Sequence, residues 1–236
     1  MPEMLALVDV SQPALWAVII GWVMSVTLHE FAHNVVGYWG GDHTIRDEGR
    51  LTLNPLQYVD PFMTIVLPVI FLMLGGIPLP GGSTHVDPTR LRGRHWESAV
   101  SAAGPAMNLI LFALFAIFLL PAVGFIDVTQ QPSPIDWSPA QKFVAAMCFL
   151  QLLSVFLNLV PVPGLDGYGI IEPYLPRDVR DKLAAPQLRS ICMIGYFLLL
   201  WQAPGFLDAM QEGMKWVMGK YLFAVSEAGT HAAFYR

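Results

Sequence analysis

Apolar residues fall into five runs that are separated by short polar stretches, namely 14–37, 62–77, 99–120, 143–159 and 190–203. The first and third runs hold 24 and 22 residues, enough for a helix to cross about 30 Å of hydrocarbon. The fourth run has 17 residues, and the fifth would need local thinning of the bilayer or an extension past Pro204. This pattern predicts a bundle of membrane helices.

The composition supports a membrane protein. Of the 236 residues, 55% are hydrophobic and 13% are charged, whereas soluble domains are roughly 45–50% apolar and about 25% charged. Such a chain is too apolar for a soluble globule or a disordered segment. A net charge of −5 provides no basic surface for nucleic acid. Cys148 and Cys192 lie in apolar runs without CxxC spacing, which is typical of small core residues rather than of a disulfide or a thiolate metal site.

The loops between the runs are short, so we expect a single membrane-embedded domain over residues 1–236 with its core at 14–175. A further helix is expected within 190–225. Between residues 206 and 225 apolar side chains recur at helical spacing and form a predicted stripe, namely Phe206, Met210, Met214, Val217, Tyr221 and Val225. This pattern fits an amphipathic helix at the membrane interface and equally a last helix packed on the bundle.

The first apolar run contains His29-Glu30-Phe31-Ala32-His33. Residues i and i+4 project from one face of a helix, so both imidazoles can reach the same metal ion. Glu30 points about 100° away, where it can take a proton from an attacking water and deliver it to the leaving amine. Zinc is the ion that this pattern favours. Because ionisable groups inside a spanning helix are costly, a catalytic site is favoured over a polar patch that pairs with another helix.

A catalytic zinc takes three protein ligands, so the two histidines leave one position to fill. The best candidate is Asp166, in the segment NLVPVPGLDG that follows the fourth run. Pro161 and Pro163 deny backbone N–H groups to a helix, and Gly164 and Gly167 permit tight turns. A carboxylate on such a broken segment can turn into the bundle, where a metal would offset its desolvation. A plain turn residue at the membrane interface is the alternative.

Taken together, these motifs resemble the site-2 protease family of intramembrane zinc metalloproteases (peptidase family M50). The resemblance is carried by HEFAH, by Gly-Pro-Ala-Met-Asn at 104–108 and by NLVPVPGLDG, and GRLTLNP at 49–55 is similar to the compact prokaryotic branch. The matches extend from about residue 29 to residue 167 and cover most of the chain.

The resemblance implies one zinc ion per chain, bound by His29, His33 and Asp166, with Glu30 as general base. It implies that the substrate is a transmembrane helix of another protein, cut in or near the bilayer. The expected fold is an all-α integral membrane protein, a bundle of about four to six membrane helices with a small β or re-entrant element near the active site.

Further residues are candidates for substrate contact. In the family, the residue that matches Asn108 is thought to hold the substrate backbone or the oxyanion, and an amide can donate to a developing oxyanion. A hydrogen bond between helices is the alternative for Asn108, and for Asn158 this structural role is favoured. Gly81 and Gly82 begin a segment similar to the family's glycine-led β segment, whose edge could hold an unwound substrate. An ordinary polar hairpin is the alternative there.

The three expected ligands also constrain the topology. One zinc can reach them only if the end of the first span and the end of the fourth run face the same side of the membrane. We therefore expect residues 62–77, which contain Pro68, to re-enter or bend rather than to cross. Nine of the 13 Lys and Arg residues then lie on the side of the active site, which predicts that this side is cytoplasmic. The expected location is the inner membrane of a prokaryotic cell.

Two other functions compete with a protease. A non-catalytic zinc-binding membrane scaffold would keep the ligands but would have no use for Glu30. An ion or solute transporter would need further ionisable residues along the bundle or inverted repeats, and the sequence has neither.

Overall fold

The computed structural model describes residues 11–58, 86–128, 133–202 and 204–235. Within these ranges the regular elements are helical. Eight α-helices are present there: α1 Pro13–Gly40, α2 Thr44–Asp47, α3 Arg94–Leu119, α4 Pro139–Asn158, α5 Asp166–Ile171, α6 Arg177–Leu183, α7 Pro186–Gln202 and α8 Pro204–Phe234. The expected all-α class is confirmed. The run at 62–77 and the glycines Gly81 and Gly82 lie outside the described residues.

Three of these helices, α1, α3 and α4, are long and apolar enough to cross a membrane. Helix α6 and the part of α7 that follows it meet at a bend of 72°, and they count as a fourth span if the pair is taken as one. The described ranges therefore hold three or four of the expected four to six spans. Apolar side chains on the outer faces, such as Ile20 and Ile110, are more than 60% exposed in the isolated chain and face the lipid of a membrane protein.

Local sequence signals set the ends of the spans. Pro13 occupies the first turn of α1, where its missing N–H costs nothing. Gly41 ends the helix with φ 125°, and its N–H donates to the Gly37 carbonyl oxygen, a common glycine stop. Helix α4 begins with a capping box between Ser138 and Gln141, which satisfies two backbone N–H groups of its first turn.

Helix α4 lies at the centre of the bundle and packs against α1, α3 and α8. Its middle is almost entirely buried, with Ala145, Ala146, Met147 and Cys148 each at most 1% exposed. The prediction that Cys148 is a core residue is confirmed. Within a bilayer this burial stabilises the bundle through close van der Waals packing between the helices.

The chain leaves α1 and enters α3 at the same end of the bundle. The Arg92 N–H donates to the Gly40 carbonyl oxygen at 2.9 Å, and the Asp87 N–H donates to Asp42 Oδ2 at 2.9 Å. The end of α1 and the start of α3 therefore share one side, as a single zinc site requires. The path of residues 59–85 between them lies outside the described part of the chain.

Helix α8 packs on the bundle. Its sequence pattern fits this arrangement as well as an amphipathic helix at the membrane interface. Met210, Met214 and Met218 are buried, and Met214 and Met218 belong to the same core cluster as the buried residues of α4. Gly219, with φ 75°, interrupts the helix, so the expected stripe does not run straight through. Val217 and Tyr221, which were expected on the apolar face, are 45% and 36% exposed.

Candidate metal centre

Three side chains that are far apart in sequence meet inside the bundle. The Nε2 atoms of His29 and His33 lie 3.1 Å apart. Asp166 Oδ2 lies 3.1 Å from His29 Nε2, and Asp166 Oδ1 lies 3.4 Å from His33 Nε2. In the described ranges, these three residues are the group of His, Cys, Asp or Glu that could hold a metal ion. The two histidines are at least 92% buried.

Helix α3 fixes the orientation of both imidazole rings. His33 Nδ1 lies 2.6 Å from the Val100 carbonyl oxygen, and His29 Nδ1 lies 2.6 Å from Asn108 Oδ1. Both of these oxygens only accept hydrogen bonds, so each Nδ1 carries the proton. Nε2 of each ring therefore points toward Asp166 and is the atom left to bind a metal, as in zinc sites whose histidines are held by a second hydrogen bond.

Gly104 allows α3 to approach the histidines this closely. A Cβ atom at this position would lie 2.4 Å from His29 Nε2 and 2.4 Å from His33 Nε2. Val100, Gly104 and Asn108 follow one another at four-residue intervals and share one face of α3. Because His29 pairs with Asn108 and His33 with Val100, α1 and α3 run antiparallel at the site.

Asp166 reaches the histidines because the chain breaks after α4 and turns back. Gly164 has φ 111°, and α5 starts at Asp166. A Cβ atom on Gly167 would lie 2.1 Å from the Leu159 carbonyl oxygen, so the first turn of α5 rests directly on the end of α4. The predicted break of this segment is confirmed, and it carries the carboxylate into the bundle.

The loop that follows α2 covers the face of α1 that carries Glu30. Glu30 is 6% exposed, and Asn34 lies one turn further along that face. Asn34 Nδ2 donates to the Arg50 carbonyl oxygen at 3.1 Å, and the Tyr58 hydroxyl lies 2.9 Å from the same oxygen. Burial raises the pKa of the Tyr58 phenol, and the negative charge of Glu30 adds to this rise. Glu30 is thus held in a shielded position beside the histidines.

The donor set fits zinc. Two imidazole nitrogens and a carboxylate are a common set of three protein ligands for a catalytic zinc. One ligand atom from each residue can be chosen so that all three lie within 4.8 Å of one another. Metal–ligand distances of about 2.0–2.2 Å place tetrahedral ligand atoms about 3.3–3.6 Å apart, so small movements of these side chains would complete the site. A buried carboxylate is costly unless it is paired or binds a metal, and a bound cation would supply that partner.

Asn108 and Asn158 differ in their contacts. Asn108 is 3% exposed; besides its contact with His29, its Nδ2 donates to Gln151 Oε1 at 3.1 Å. Asn108 therefore makes hydrogen bonds between helices, which was the alternative to a contact with the substrate. Asn158 Nδ2 donates to Ser154 Oγ at 3.3 Å within α4, which differs from the hydrogen bond between helices that is favoured for it from the sequence.

Sequence reasoning missed three partners of the site. Gln151 is fully buried and was detectable as a lone amide in an apolar run. Asn34 directly follows the second histidine and was not singled out. The Val100 carbonyl has no sequence signal, because any residue supplies a backbone oxygen. Gly81 and Gly82, which were candidates for substrate contact, lie outside the described residues.

Curated relatives carry the names of zinc metalloproteases. The chain is 42% identical to zinc metalloprotease Rip2 of Mycolicibacterium smegmatis over 71% of this chain and 60% of that protein. It is 38% identical to Rip2 of Mycobacterium tuberculosis strain H37Rv over 77% and 66%, and 35% identical to zinc metalloprotease YwhC of Bacillus subtilis over 79% and 80%. The matches thus span less than two thirds of the Rip2 proteins. No protein-family model matches the chain, and no solved structure does.

Proposed function

The chain belongs to the site-2 protease family of zinc metalloproteases, and we propose that it is a zinc-dependent endopeptidase that hydrolyses peptide bonds in or near transmembrane segments of other membrane proteins. The observation that carries this proposal is the convergence of His29, His33 and Asp166 between spanning helices. An ion held there is enclosed by the bundle, so a substrate is expected to approach through the membrane.

In this proposal His29 Nε2, His33 Nε2 and one carboxylate oxygen of Asp166 hold the zinc ion. When bound, zinc supplies a Lewis acid that polarises the scissile carbonyl and lowers the pKa of the attacking water. Asn108 and the Val100 carbonyl keep each imidazole in the tautomer that leaves Nε2 free to coordinate.

Glu30 is the proposed general base. Its carboxylate takes the proton of the attacking water and then donates it to the amine that leaves. The 49–58 loop covers the face of α1 that carries Glu30. This burial excludes bulk water, which strengthens the electrostatic interactions of the site. Asn108 contributes by orienting His29, and direct contact with the substrate oxyanion is not needed for that role.

The proposed orientation places the metal centre nearer the cytoplasmic face of a prokaryotic inner membrane. Arg90 and Arg92 precede α3 and Arg94 begins it, on the side of the site, and Arg residues are enriched in cytoplasmic loops. Cysteine labelling from each side of the membrane at Arg94→Cys and Pro134→Cys, near opposite ends of the bundle, tests this assignment. Labelling of Arg94→Cys from the cytoplasmic side and of Pro134→Cys from the other side is expected, and labelling of Arg94→Cys from the periplasmic side would contradict the assignment.

The activity is tested with detergent-purified protein and a panel of membrane-protein reporters that carry a transmembrane helix. Wild type with zinc is expected to cleave a reporter within or beside that helix, and Glu30→Gln is expected to lose cleavage while it retains zinc. A non-catalytic scaffold would bind zinc equally in both proteins and cleave nothing. Equal cleavage by wild type and Glu30→Gln would overturn the role of Glu30.

A further inference from the structure

A cavity of about 440 Å³ lies at the opposite end of the bundle from the metal centre. It is bordered by the starts of α1 and α4 and by the end of α8, with Pro13, Pro139 and Tyr235 among its lining residues. The histidines lie in the second half of α1, near the end where that helix stops. The cavity is therefore separate from the proposed active site.

Lys142 gives the cavity its charge. It is the one charged side chain among the described residues that line the cavity, and it is only 9% exposed. Within the described part of the chain, no hydrogen bond or ion pair to its ammonium group is present. The ammonium group opens into the cavity, and a cation at the wall of a mostly apolar cavity is expected to have an anionic ligand.

The surrounding backbone adds to the positive potential. Two helices begin at the cavity, and neither α1 nor α4 has an acidic residue in its first turn. The side chain of Gln12 does not cap α1; instead its Nε2 donates to the Tyr235 carbonyl oxygen at 3.2 Å. The partial positive charge of two helix N-termini thus faces the same space as Lys142.

We propose that this cavity is an anion-binding site that takes a phosphate group, with Lys142 as its cationic anchor. Most other lining side chains are apolar, among them Ala14, Ile135 and Ala232. The cavity also lies where membrane-spanning helices begin, at the depth of lipid headgroups. A phosphodiester of an anionic phospholipid matches this combination of one cation and apolar walls, and inorganic phosphate offers the same chemistry without the acyl chains.

Native mass spectrometry of the full-length protein tests the site, with phosphatidylglycerol, phosphatidylcholine and inorganic phosphate as separate probes. Wild type is expected to retain phosphatidylglycerol in preference to phosphatidylcholine. Lys142→Met is expected to bind phosphatidylglycerol about tenfold or more weakly, because it loses a charge-assisted hydrogen bond. Lys142→Arg is expected to restore binding. Lys220→Met, which removes an exposed lysine of α8, is the matched control and is expected to bind as wild type does.

The outcomes separate the two sources of phosphate. Retention of phosphatidylglycerol that depends on Lys142, with no effect of inorganic phosphate, supports a lipid headgroup site. Thermal stabilisation by inorganic phosphate that depends on Lys142 supports a site for the free anion. Equal binding of both probes by wild type and Lys142→Met, or no binding of either probe by wild type, overturns the proposal.

Folding of the variant is checked in zwitterionic detergent without added anion. Removal of a charge that has no partner atom in the described part of the protein is expected to leave the thermal midpoint of Lys142→Met equal to or above that of wild type. A large loss of stability in this detergent would mean that Lys142 already has a partner within the protein, and this result would also overturn the proposal. None of these measurements depends on proteolytic activity.

Discussion

His29 and Asn108 are joined across α1 and α3 by a hydrogen bond of 2.6 Å between Nδ1 and Oδ1. The amide of Asn108 cannot rotate freely, because its Nδ2 donates to Gln151 Oε1 at 3.1 Å. A chain of two hydrogen bonds therefore runs from the centre of α4 to the first histidine. Its direction fixes the tautomer of His29, which is the tautomer that a metal at Nε2 requires.

Substitution of Gln151 by Leu is expected to weaken zinc binding. Loss of its Oε1 frees the Asn108 amide to rotate, and loss of such outer contacts typically costs about 10–100-fold in metal affinity. Competition with a chelator of known affinity measures the change. Asn158→Leu is the matched control, because its amide lies on the same helix but bonds only to Ser154 among the hydrogen bonds described. Unchanged affinity in Gln151→Leu would contradict the positioning role.

Gly104→Ala is expected to disturb the metal centre directly. The added methyl group would lie 2.4 Å from both Nε2 atoms, so α3 or the two imidazoles must move. We expect zinc content to fall well below that of wild type, with a smaller change in helix content by circular dichroism. Gly195→Ala on α7, where a Cβ meets no atom within 4 Å, serves as control. Full zinc occupancy in Gly104→Ala would contradict the close approach of α3 to the two histidines.

Gly167→Ala is expected to reduce the stability of the fold. The new Cβ would meet the Leu159 carbonyl oxygen at 2.1 Å, a backbone contact that cannot be relieved by a side-chain rotation. Overpacking of this kind typically costs about 1–3 kcal/mol, so a lower thermal midpoint in detergent is expected together with loss of zinc. Gly205→Ala, in open space, is expected to leave both quantities unchanged. An unaltered midpoint for Gly167→Ala would contradict the close packing of α5 on α4.

The sequence predicted the core of the site because its signals are local. The i, i+4 spacing of His29 and His33 places both on one face of any helix, and the prolines and glycines around Asp166 interrupt α4 wherever it packs. The supporting contacts could not be predicted in the same way. The pairing of His33 with the Val100 carbonyl depends on the relative register of α1 and α3, which no local pattern specifies.

The C-terminal helix shows a second limit of prediction from sequence. Helical spacing alone extends a single apolar stripe through Val217 and Tyr221. The buried face instead includes Met218 rather than Val217, and the positive φ of Gly219 then rotates the segment that contains Tyr221. Phe223 and Val225 are buried after the break. Periodicity could not choose between the interface and the bundle, because a lipid-facing surface and a core-facing surface are both apolar in a membrane protein.

The central claim is that Asp166 completes a three-ligand zinc site with His29 and His33. Zinc content of detergent-purified wild type, Asp166→Ala and the control Asp136→Ala, whose carboxylate lies in the turn before α4, tests it most directly. About one zinc ion per chain is expected in wild type and Asp136→Ala, and a sharp reduction in Asp166→Ala, since a buried site with two ligands binds zinc weakly. Full retention of zinc by Asp166→Ala would contradict the account.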